Sequence, residues 1–409
     1  MNSLTKRIFF TCFYLPFLVI SLQVSGQSAL SAVDLHYLYT NAHVAEFRSQ
    51  SISKDTTSLV MFQLGITSDS LARLAIRYYL VSSFDNRPST LLTIADMGKY
   101  LQTSGEQSSV YAMGIDNRGK KKLVLILEDT LSLNSWQLPV NLAYGSTGES
   151  PNIFLGKITK NVPILAGSVP VASRVRINAL FSVGHQYDID YYDHHFLPAK
   201  PPMANNDKPA NVPLTIDSTF TVFQLDTFQF EKNGLYFIHE KDSKVGLCIR
   251  AEASYYPKPG KIEDLVESLI YIASKEEYKK LTTSFKKKQL FDEFWLNNAK
   301  SEEKARRVIK EYYKRVAEAN RLFTDYKEGW KTDKGMIYII YGHPNRVFIN
   351  DNEEMWIYNK TFQLPRTSFV FKRVNTAFSN HYYVLDRRPE LQLAWFRAVD
   401  LWRKGKKDF

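Results

Sequence analysis

The pattern of hydrophobic and polar positions changes character near Gly260. Upstream of it, short apolar runs alternate with polar positions or are bounded by polar turns, as at residues 57–66, 72–81 and 122–127. Such runs predict the strands of an antiparallel sandwich, with one face of each strand buried and the other in solvent. Residues 144–152 are rich in Gly, Ser and Pro and predict a linker or a long loop.

A second β-rich region follows this linker. Its predicted strands are residues 174–182, 219–230, 234–239 and 245–253. Prolines and asparagines between residues 198 and 213 predict an exposed loop. The sequence therefore predicts two antiparallel β-sandwich modules of the Ig-like kind, at residues 27–145 and 150–258.

From Ile262 onward the apolar residues recur at helical spacing. Ser301 is placed to cap a longer helix. We expect this helix to end at Gly329, with that glycine in the left-handed conformation. The charge-free run at residues 336–341 predicts a strand that pairs with residues 354–358. Residues 261–409 thus read as an α/β domain with long helices and a small antiparallel sheet.

The segment between that helix and strand, Gly329-Trp330-Lys331-Thr332-Asp333, has the residue types of a tight corner. Its tryptophan can pack back on the helix at Phe323 or Tyr326, and its threonine and aspartate can bond nearby backbone N–H groups. Gly335 allows the chain to reverse. We interpret the segment as a structural corner. The alternative is a shallow site in which the aspartate acts with His343.

These residues carry a resemblance that extends through the C-terminal region. The positions concerned are Gly329, Trp330, Thr332, Asp333, Gly335, Tyr338, Tyr341, Gly342, Pro344, Trp356 and Tyr358. Together they resemble the GWxTD domain of secreted proteins of Bacteroidota, over residues 262–404. The family has no established reaction, so the resemblance implies an exported location and a fold rather than an activity.

The N-terminus has the organisation of an export signal. Lys6 and Arg7 precede an apolar run at residues 8–22, and Val24-Ser25-Gly26 offers small residues for cleavage. The run is shorter than the ~20 residues of a membrane span, so we predict a Sec signal peptide over residues 1–26. The alternative is an uncleaved anchor. Cys12 lies inside the apolar run, which excludes a lipoprotein anchor at the cleavage point.

The net charge and the predicted export together limit the classes of partner that this protein could bind. The formal charge of +11 suits nucleic acid, an anionic membrane surface or acidic glycans. An exported protein does not meet chromosomal DNA, so we expect no nucleic acid. The single cysteine that remains, Cys248, cannot form an internal disulfide and is expected to be a small buried hydrophobe. We expect no cofactor, and no transmembrane helix in the mature chain.

A second candidate site lies at residues 185–195, which hold three histidines and three aspartates. These residue types can ligate first-row metals, but their spacing matches no metal template, so a polar surface loop is the favoured interpretation and no metal is predicted. The adjacent carboxylates Glu353 and Glu354 follow turn residues and are interpreted as solvent-facing. The candidate metal ligands are His185, Asp188, Asp190, His194 and His195.

The motifs of serine hydrolases, phosphate-binding loops and zinc proteases are missing from the sequence. We therefore predict a non-catalytic envelope protein that binds a protein or polysaccharide partner in the periplasm or at the outer membrane. The alternative is a hydrolase of an envelope polymer, with Asp and His residues near the corner brought together by folding. Basic runs at residues 286–288 and 403–407 are expected to be solvated, with contact to a membrane surface as the lesser option.

Overall fold

The computed structural model describes residues 28–40, 47–65, 73–105, 108–132, 134–142, 153–179, 185–205, 214–376, 378–379 and 382–406. The predicted signal peptide and the predicted linker at residues 144–152 lie outside these ranges, as does the second half of the loop at residues 198–213. Within the described ranges, the helices all lack the combination of length and hydropathy that crossing a bilayer requires.

The first β unit contains two four-stranded antiparallel sheets. Its strands are β1 (Arg48–Lys54), β2 (Thr57–Leu64), β3 (Leu74–Val81), β4 (Leu92–Ile94), β5 (Leu101–Ser104), β6 (Ser109–Asp116), β7 (Lys122–Asp129) and β8 (Ser135–Asn141). The sheet orders are β1-β2-β6-β5 and β4-β3-β7-β8. Apolar side chains from both sheets, among them Val60, Tyr111 and Leu125, form one core. The three runs predicted as strands here are confirmed as β2, β3 and β7.

The second β unit contains a five-stranded sheet, β10-β16-β15-β12-β13, and a three-stranded sheet, β14-β11-β9. Its strands are β9 (Ile153–Lys157), β10 (Ser168–Pro170), β11 (Arg174–Ala179), β12 (Gln186–Tyr192), β13 (Ser218–Phe223), β14 (Thr227–Gln229), β15 (Gly234–Glu240) and β16 (Gly246–Glu252). The prediction of a purely antiparallel unit is wrong, because β10 runs parallel to β16. The predicted strand at residues 219–230 is divided by a turn at Leu225, whose φ is 70°.

The C-terminal region combines six helices with a four-stranded antiparallel sheet, β17-β18-β19-β20. Ser301 caps α4 as predicted, since its hydroxyl accepts a hydrogen bond from the Lys304 N–H at 3.3 Å. The elements are α1 (Ile262–Ser268), α2 (Lys275–Thr283), α3 (Lys287–Ala299), α4 (Glu302–Phe323), α5 (Asp333–Tyr341), β17 (Arg346–Ile349), β18 (Glu353–Tyr358), β19 (Thr367–Val374), β20 (Tyr382–Leu385) and α6 (Gln392–Arg403).

The run at residues 336–341 is helical, so the prediction of a strand there is wrong. Each of the nine residues of α5 is buried. A helix that is covered on all sides has no polar face, and its sequence then lacks the 3.6-residue period that identifies surface helices. Strand β18 is real, but its partners are β17 and β19.

The N-terminal segment at residues 30–39 packs into the core of the C-terminal region. Leu30 and Leu35 are fully buried in that core. The Leu35 N–H donates to the Val347 carbonyl at 2.8 Å, and the Val347 N–H donates to the Asp34 carboxylate at 2.9 Å. These bonds place the segment along the outer edge of β17.

The same core covers the outer face of the first β unit. Tyr79 and Val81 of β3 and Val124 and Ile126 of β7 belong to it. Strand β7 is therefore buried on both faces, and the predicted alternation of a buried and a wet face is wrong there. The first β unit and the C-terminal region share apolar surface instead of being joined by a linker alone.

We predict that Leu35→Ala destabilises the C-terminal region by about 2–5 kcal/mol, because it opens a cavity beneath β17. Urea unfolding of the purified protein measures the change. The matched control is Leu131→Ala, at a leucine that is 72% exposed, where we expect a change within about 0.5 kcal/mol. Equal unfolding midpoints for the two variants would show that the N-terminal segment does not support the core.

Candidate functional site

The Gly329–Asp333 segment lies in the turn between α4 and α5 and is buried throughout. Helix α4 ends at Phe323, earlier than predicted, and residues Gly329–Lys331 form a 3₁₀ turn. Thr332 caps α5: its hydroxyl accepts from the Gly335 N–H at 3.0 Å and donates to the Gly329 carbonyl at 2.7 Å. The segment therefore joins two helices, and the prediction that Gly329 ends the preceding helix is wrong.

The two glycines are needed because backbones approach closely here. A Cβ atom on Gly329 would lie 2.1 Å from the carbonyl oxygen of Ala319 in α4. A Cβ atom on Gly335 would lie 1.9 Å from the carbonyl oxygen of Gly329. Neither distance leaves room for a side chain. Gly329 is therefore required by this close approach and not by the left-handed conformation predicted for it.

Trp330 is fixed by its backbone as well as by its ring. Its N–H donates to the Asn320 side-chain oxygen at 2.9 Å, and its carbonyl accepts from the Tyr271 hydroxyl at 2.8 Å. The Tyr271 ring also meets the indole edge-on, with centroids 6.1 Å apart. The sequence suggested Phe323 or Tyr326, near the end of α4, as the packing partner of Trp330. No local feature of the sequence indicates that Tyr271 contacts it.

Both carboxylate oxygens of Asp333 are bound by other groups of the chain. Oδ2 accepts from the Leu385 N–H at 2.8 Å, and the Arg387 guanidinium donates to both oxygens. Arg387 also donates to the Lys200 carbonyl at 3.1 Å. The first turn of α5 is thereby tied to the end of β20 and to the segment that follows β12.

A row of buried charges connects this turn to the second β unit. Lys331 pairs with Glu328 at 3.0 Å, Glu328 with Arg250 at 3.3 Å, and Arg250 with Glu252 at 2.6 Å. Burial works to raise the pKa of Glu328, but the charges of Arg250 and Lys331 bring that pKa below its usual value. Burial raises the pKa of Glu252 despite the neighbouring Arg250.

Glu354 is the centre of a second buried group. One of its oxygens accepts from the Tyr39 hydroxyl at 2.5 Å and from the Trp356 indole at 2.6 Å, and the other pairs with Lys334 at 2.6 Å. Burial lowers the pKa of Lys334, although Glu354 opposes the shift. The interpretation of Glu354 as solvent-facing is wrong, because Tyr39 of the N-terminal segment and Lys334 of α5 cover it, together with Trp356 of its own strand.

The remaining corner residues lie along α5 or against its C-terminal end. The Tyr338 hydroxyl donates to Glu318 of α4 at 3.2 Å, and the Tyr341 ring packs against Phe369 with centroids 5.0 Å apart. Gly342, with a φ of 85°, ends α5, and its carbonyl accepts from the Tyr358 hydroxyl at 2.8 Å. Pro344 follows and is buried.

Comparison with known families matches residues 234–404 to the GWxTD domain. This protein carries a GWxTD domain. The match begins in β15, upstream of Ile262 where the resemblance begins, and so includes the last two strands of the second β unit. The charge row from Arg250 of β16 to Lys331 lies within the matched range. Neither the curated proteins nor the solved structures yield a match.

The structure does not bring together the two residues of the alternative site. Asp333 begins α5 and His343 lies two residues beyond its end, and the helix from Asp333 to Tyr341 alone covers about 12 Å at ~1.5 Å per residue. His343 is exposed, whereas Asp333 is buried and bonded to Arg387. The GWxTD corner has the geometry of a packing and capping motif.

The candidate metal ligands each have a separate environment. Asp190 accepts from Thr219 at 2.7 Å and bonds the His239 ring at 3.0 Å, and Asp188 accepts from Thr221 at 2.9 Å. Among the described residues, His, Cys, Asp and Glu side chains form no group of three or more that could hold a metal ion. The histidines lie near Glu240 (His185, 3.9 Å), against the Phe196 ring (His194, 4.7 Å between centroids) and near Glu267 (His195, 3.6 Å).

Cys248 is a free thiol on β16 that packs beside the apolar cluster of Tyr192, Phe196, Leu235 and Phe237. Burial raises the pKa of its thiol well above the ordinary value. The thiolate is the nucleophilic form of cysteine, so this environment suppresses reactivity.

We predict that Gly335→Ala destabilises the GWxTD domain by about 1–3 kcal/mol or more, because the added methyl group would overlap the Gly329 carbonyl. Thermal and urea unfolding measure the loss. Gly114→Ala is the matched control, since a Cβ atom there meets nothing within 4 Å. Similar effects for the two variants would contradict the close-approach explanation.

We also predict a pH dependence that arises from Lys327. Burial lowers its pKa to about 8, while Asp333 and Glu328 partly oppose this shift. An unfolded lysine titrates near ~10.4, so between pH 8 and about 10.4 the unfolded state binds more protons and the free energy of unfolding rises with pH.

Lys327→Met should remove that rise, measured as unfolding free energy at a series of pH values from neutral to mildly alkaline. Lys241→Met, at an exposed turn, is the control and should keep the wild-type slope. A wild-type slope in Lys327→Met would contradict the assignment.

Proposed function

We propose that this protein is a non-catalytic component of the cell envelope that binds a protein or polymer partner in the periplasm or at the outer membrane. Export is supported by the basic residues, apolar run and small-residue site at residues 6–26. The resemblance to secreted GWxTD proteins points the same way. The function is therefore one of holding or positioning a partner.

The observation that carries this proposal is the engagement of Asp333. The one acid of the GWxTD segment has both oxygens bound by Leu385 and Arg387. A general acid, a general base or a metal ligand needs a carboxylate oxygen that can reach a substrate, a water molecule or an ion. The family-defining residues hold α5 in place, so partner binding falls to other surfaces.

The two β units are the surfaces we assign to partner binding. We infer that each is an Ig-like sandwich, a fold that commonly presents edges and loops to other molecules. The first shares its outer face with the GWxTD core through residues such as Tyr79 and Val124, and the second is joined to that domain by the Arg250–Glu328 pair. Both units are thus held firmly, which reduces the entropy lost on binding.

The experiment is fractionation of native-host cells combined with chemical cross-linking. We expect the mature chain to begin at Gln27 by mass spectrometry, to lie in the envelope fraction, and to yield one reproducible cross-linked partner. A cytoplasmic chain, or a chain that gives only itself under several cross-linkers, would contradict the proposal.

Two variants distinguish this reading from a hydrolase of an envelope polymer. Asp333→Asn should lower thermal stability, because it weakens the bond to a buried guanidinium, whereas His343→Ala at the exposed turn should leave stability and partner capture unchanged. Purified protein is also incubated with isolated envelope polymer. Release of soluble fragments by the wild type that is lost in folded His343→Ala would replace binding with hydrolysis.

A further inference from the structure

Strand β13 lies at the edge of the five-stranded sheet. Its one strand neighbour is β12, and within the described ranges the other side is open. The Gln224 N–H donates to the His185 carbonyl at 3.0 Å. This bond shows that every second residue counted back from Gln224, namely Val222, Phe220 and Ser218, directs its backbone groups toward β12. Because bonded and non-bonded positions alternate in an antiparallel pair, Thr219 and Thr221 direct their N–H and C=O groups away from the sheet.

Several other sheet edges carry features that block further pairing. Strand β8 contains Pro139, β10 is three residues long and ends at Pro170, and β5 has an irregular register near Leu101. Strand β17 is covered by Leu35, and β9 by a bridge to Pro163. Prolines, bulges, short strands and covering segments are the means by which proteins prevent edge-to-edge association.

Strand β13 has none of these protections among the described residues, and its edge is uncharged and exposes aromatic side chains. Residues 216–225 contain a single charged side chain, Asp217, and no proline. The exposed fractions are 43% for Phe220, 52% for Phe223 and 58% for Leu225. An open six-residue strand with exposed aromatic side chains is suited to pairing with another strand.

We propose that the occupant of this edge is a second copy of the chain, bound by antiparallel pairing of the two β13 strands about a twofold axis at Phe220. In this register Thr219 of each copy lies opposite Thr221 of the other. Their four outward N–H groups and four outward C=O groups can then form four hydrogen bonds. The two five-stranded sheets become one continuous sheet.

The register favours a second copy because the strand is complementary to itself. The outward-directed residues flank Phe220 symmetrically, so the axis brings the two Phe220 rings together at a non-hydrogen-bonded position, where side chains lie closest. Asp217 of one copy falls opposite Phe223 of the other, so like charges do not meet. An isologous contact of this kind closes at two copies and does not propagate.

The register is tested by disulfide trapping in the full mature chain carrying Cys248→Ser. At the axis the Cα atoms of residue 220 would lie about 4.5 Å apart, within the range that a disulfide spans. Phe220→Cys should therefore form an interchain disulfide on mild oxidation, read on a non-reducing gel. Phe223→Cys is the control, since it is similarly exposed but lies opposite residue 217.

We expect at least about tenfold more cross-linked dimer for Phe220→Cys than for Phe223→Cys. Comparable yields, or a preference for residue 223, would overturn the register. Thermal unfolding of both reduced variants checks that each is folded.

The dimer itself is tested by sedimentation of the mature wild-type chain over a range of micromolar concentrations. We expect a concentration-dependent dimer that Phe220→Lys abolishes, because two ammonium groups would meet at the axis. Leu131→Lys, at an exposed leucine in the first β unit, should leave the dimer intact. A wild-type monomer throughout, or a dimer that survives in folded Phe220→Lys, would overturn the proposal. Capture of a different envelope protein by a photo-cross-linker at Thr221 of a monomeric chain would assign the edge to that partner instead.

Discussion

The buried bond between Asp333 and Arg387 is the constraint on which the C-terminal architecture depends. It joins the first turn of α5 to the end of β20, while the Leu385 N–H occupies the same carboxylate. Removing one member of such a pair leaves an uncompensated buried charge, which costs about 3–5 kcal/mol in other proteins. A negative charge at the start of α5 also complements the helix dipole. The pair therefore fixes the position of the first turn of α5 relative to the four-stranded sheet.

Neighbouring charges extend this constraint in two directions. Lys331 reaches Glu328 and, through it, Arg250 of the second β unit, while Lys334 reaches Glu354 and the N-terminal Tyr39. Buried ion pairs contribute little net stability compared with apolar packing, but they are intolerant of displacement. In this protein they specify the relative placement of segments that are far apart in the chain. That role explains why the motif contains charged residues and yet lies away from solvent.

The three regions of the chain form a continuous assembly through shared apolar surface. The main core contains residues from the N-terminal segment, from the outer face of β3 and β7, and from all six helices of the C-terminal region. A β unit whose second face is covered in this way cannot turn freely relative to its neighbour. Binding surfaces on the first β unit would thus be presented in fixed positions. The second unit is joined to the C-terminal region by the Arg250–Glu328 pair, and its β13 edge lies on the side away from β12.

The sequence by itself determined the elements that carry a strong local signal, such as an apolar run bounded by turn residues or a capping serine. The strands β2, β3, β7 and β15, the Ser301 cap, and the GWxTD segment with its two glycines belong to this group. Tertiary structure decided the rest. Helix α5 has no exposed face, so its sequence lacks the 3.6-residue hydrophobic period of a surface helix. The second face of β7 is buried by another region of the chain. Strand β10 pairs in parallel with β16, which is distant in the sequence. Glu354 appears solvent-facing in the sequence because its partners Lys334 and Tyr39 are supplied only by folding. The local sequence pattern shows which side of a helix or strand faces solvent. It does not show which distant residues will pack against or bond to that element after folding.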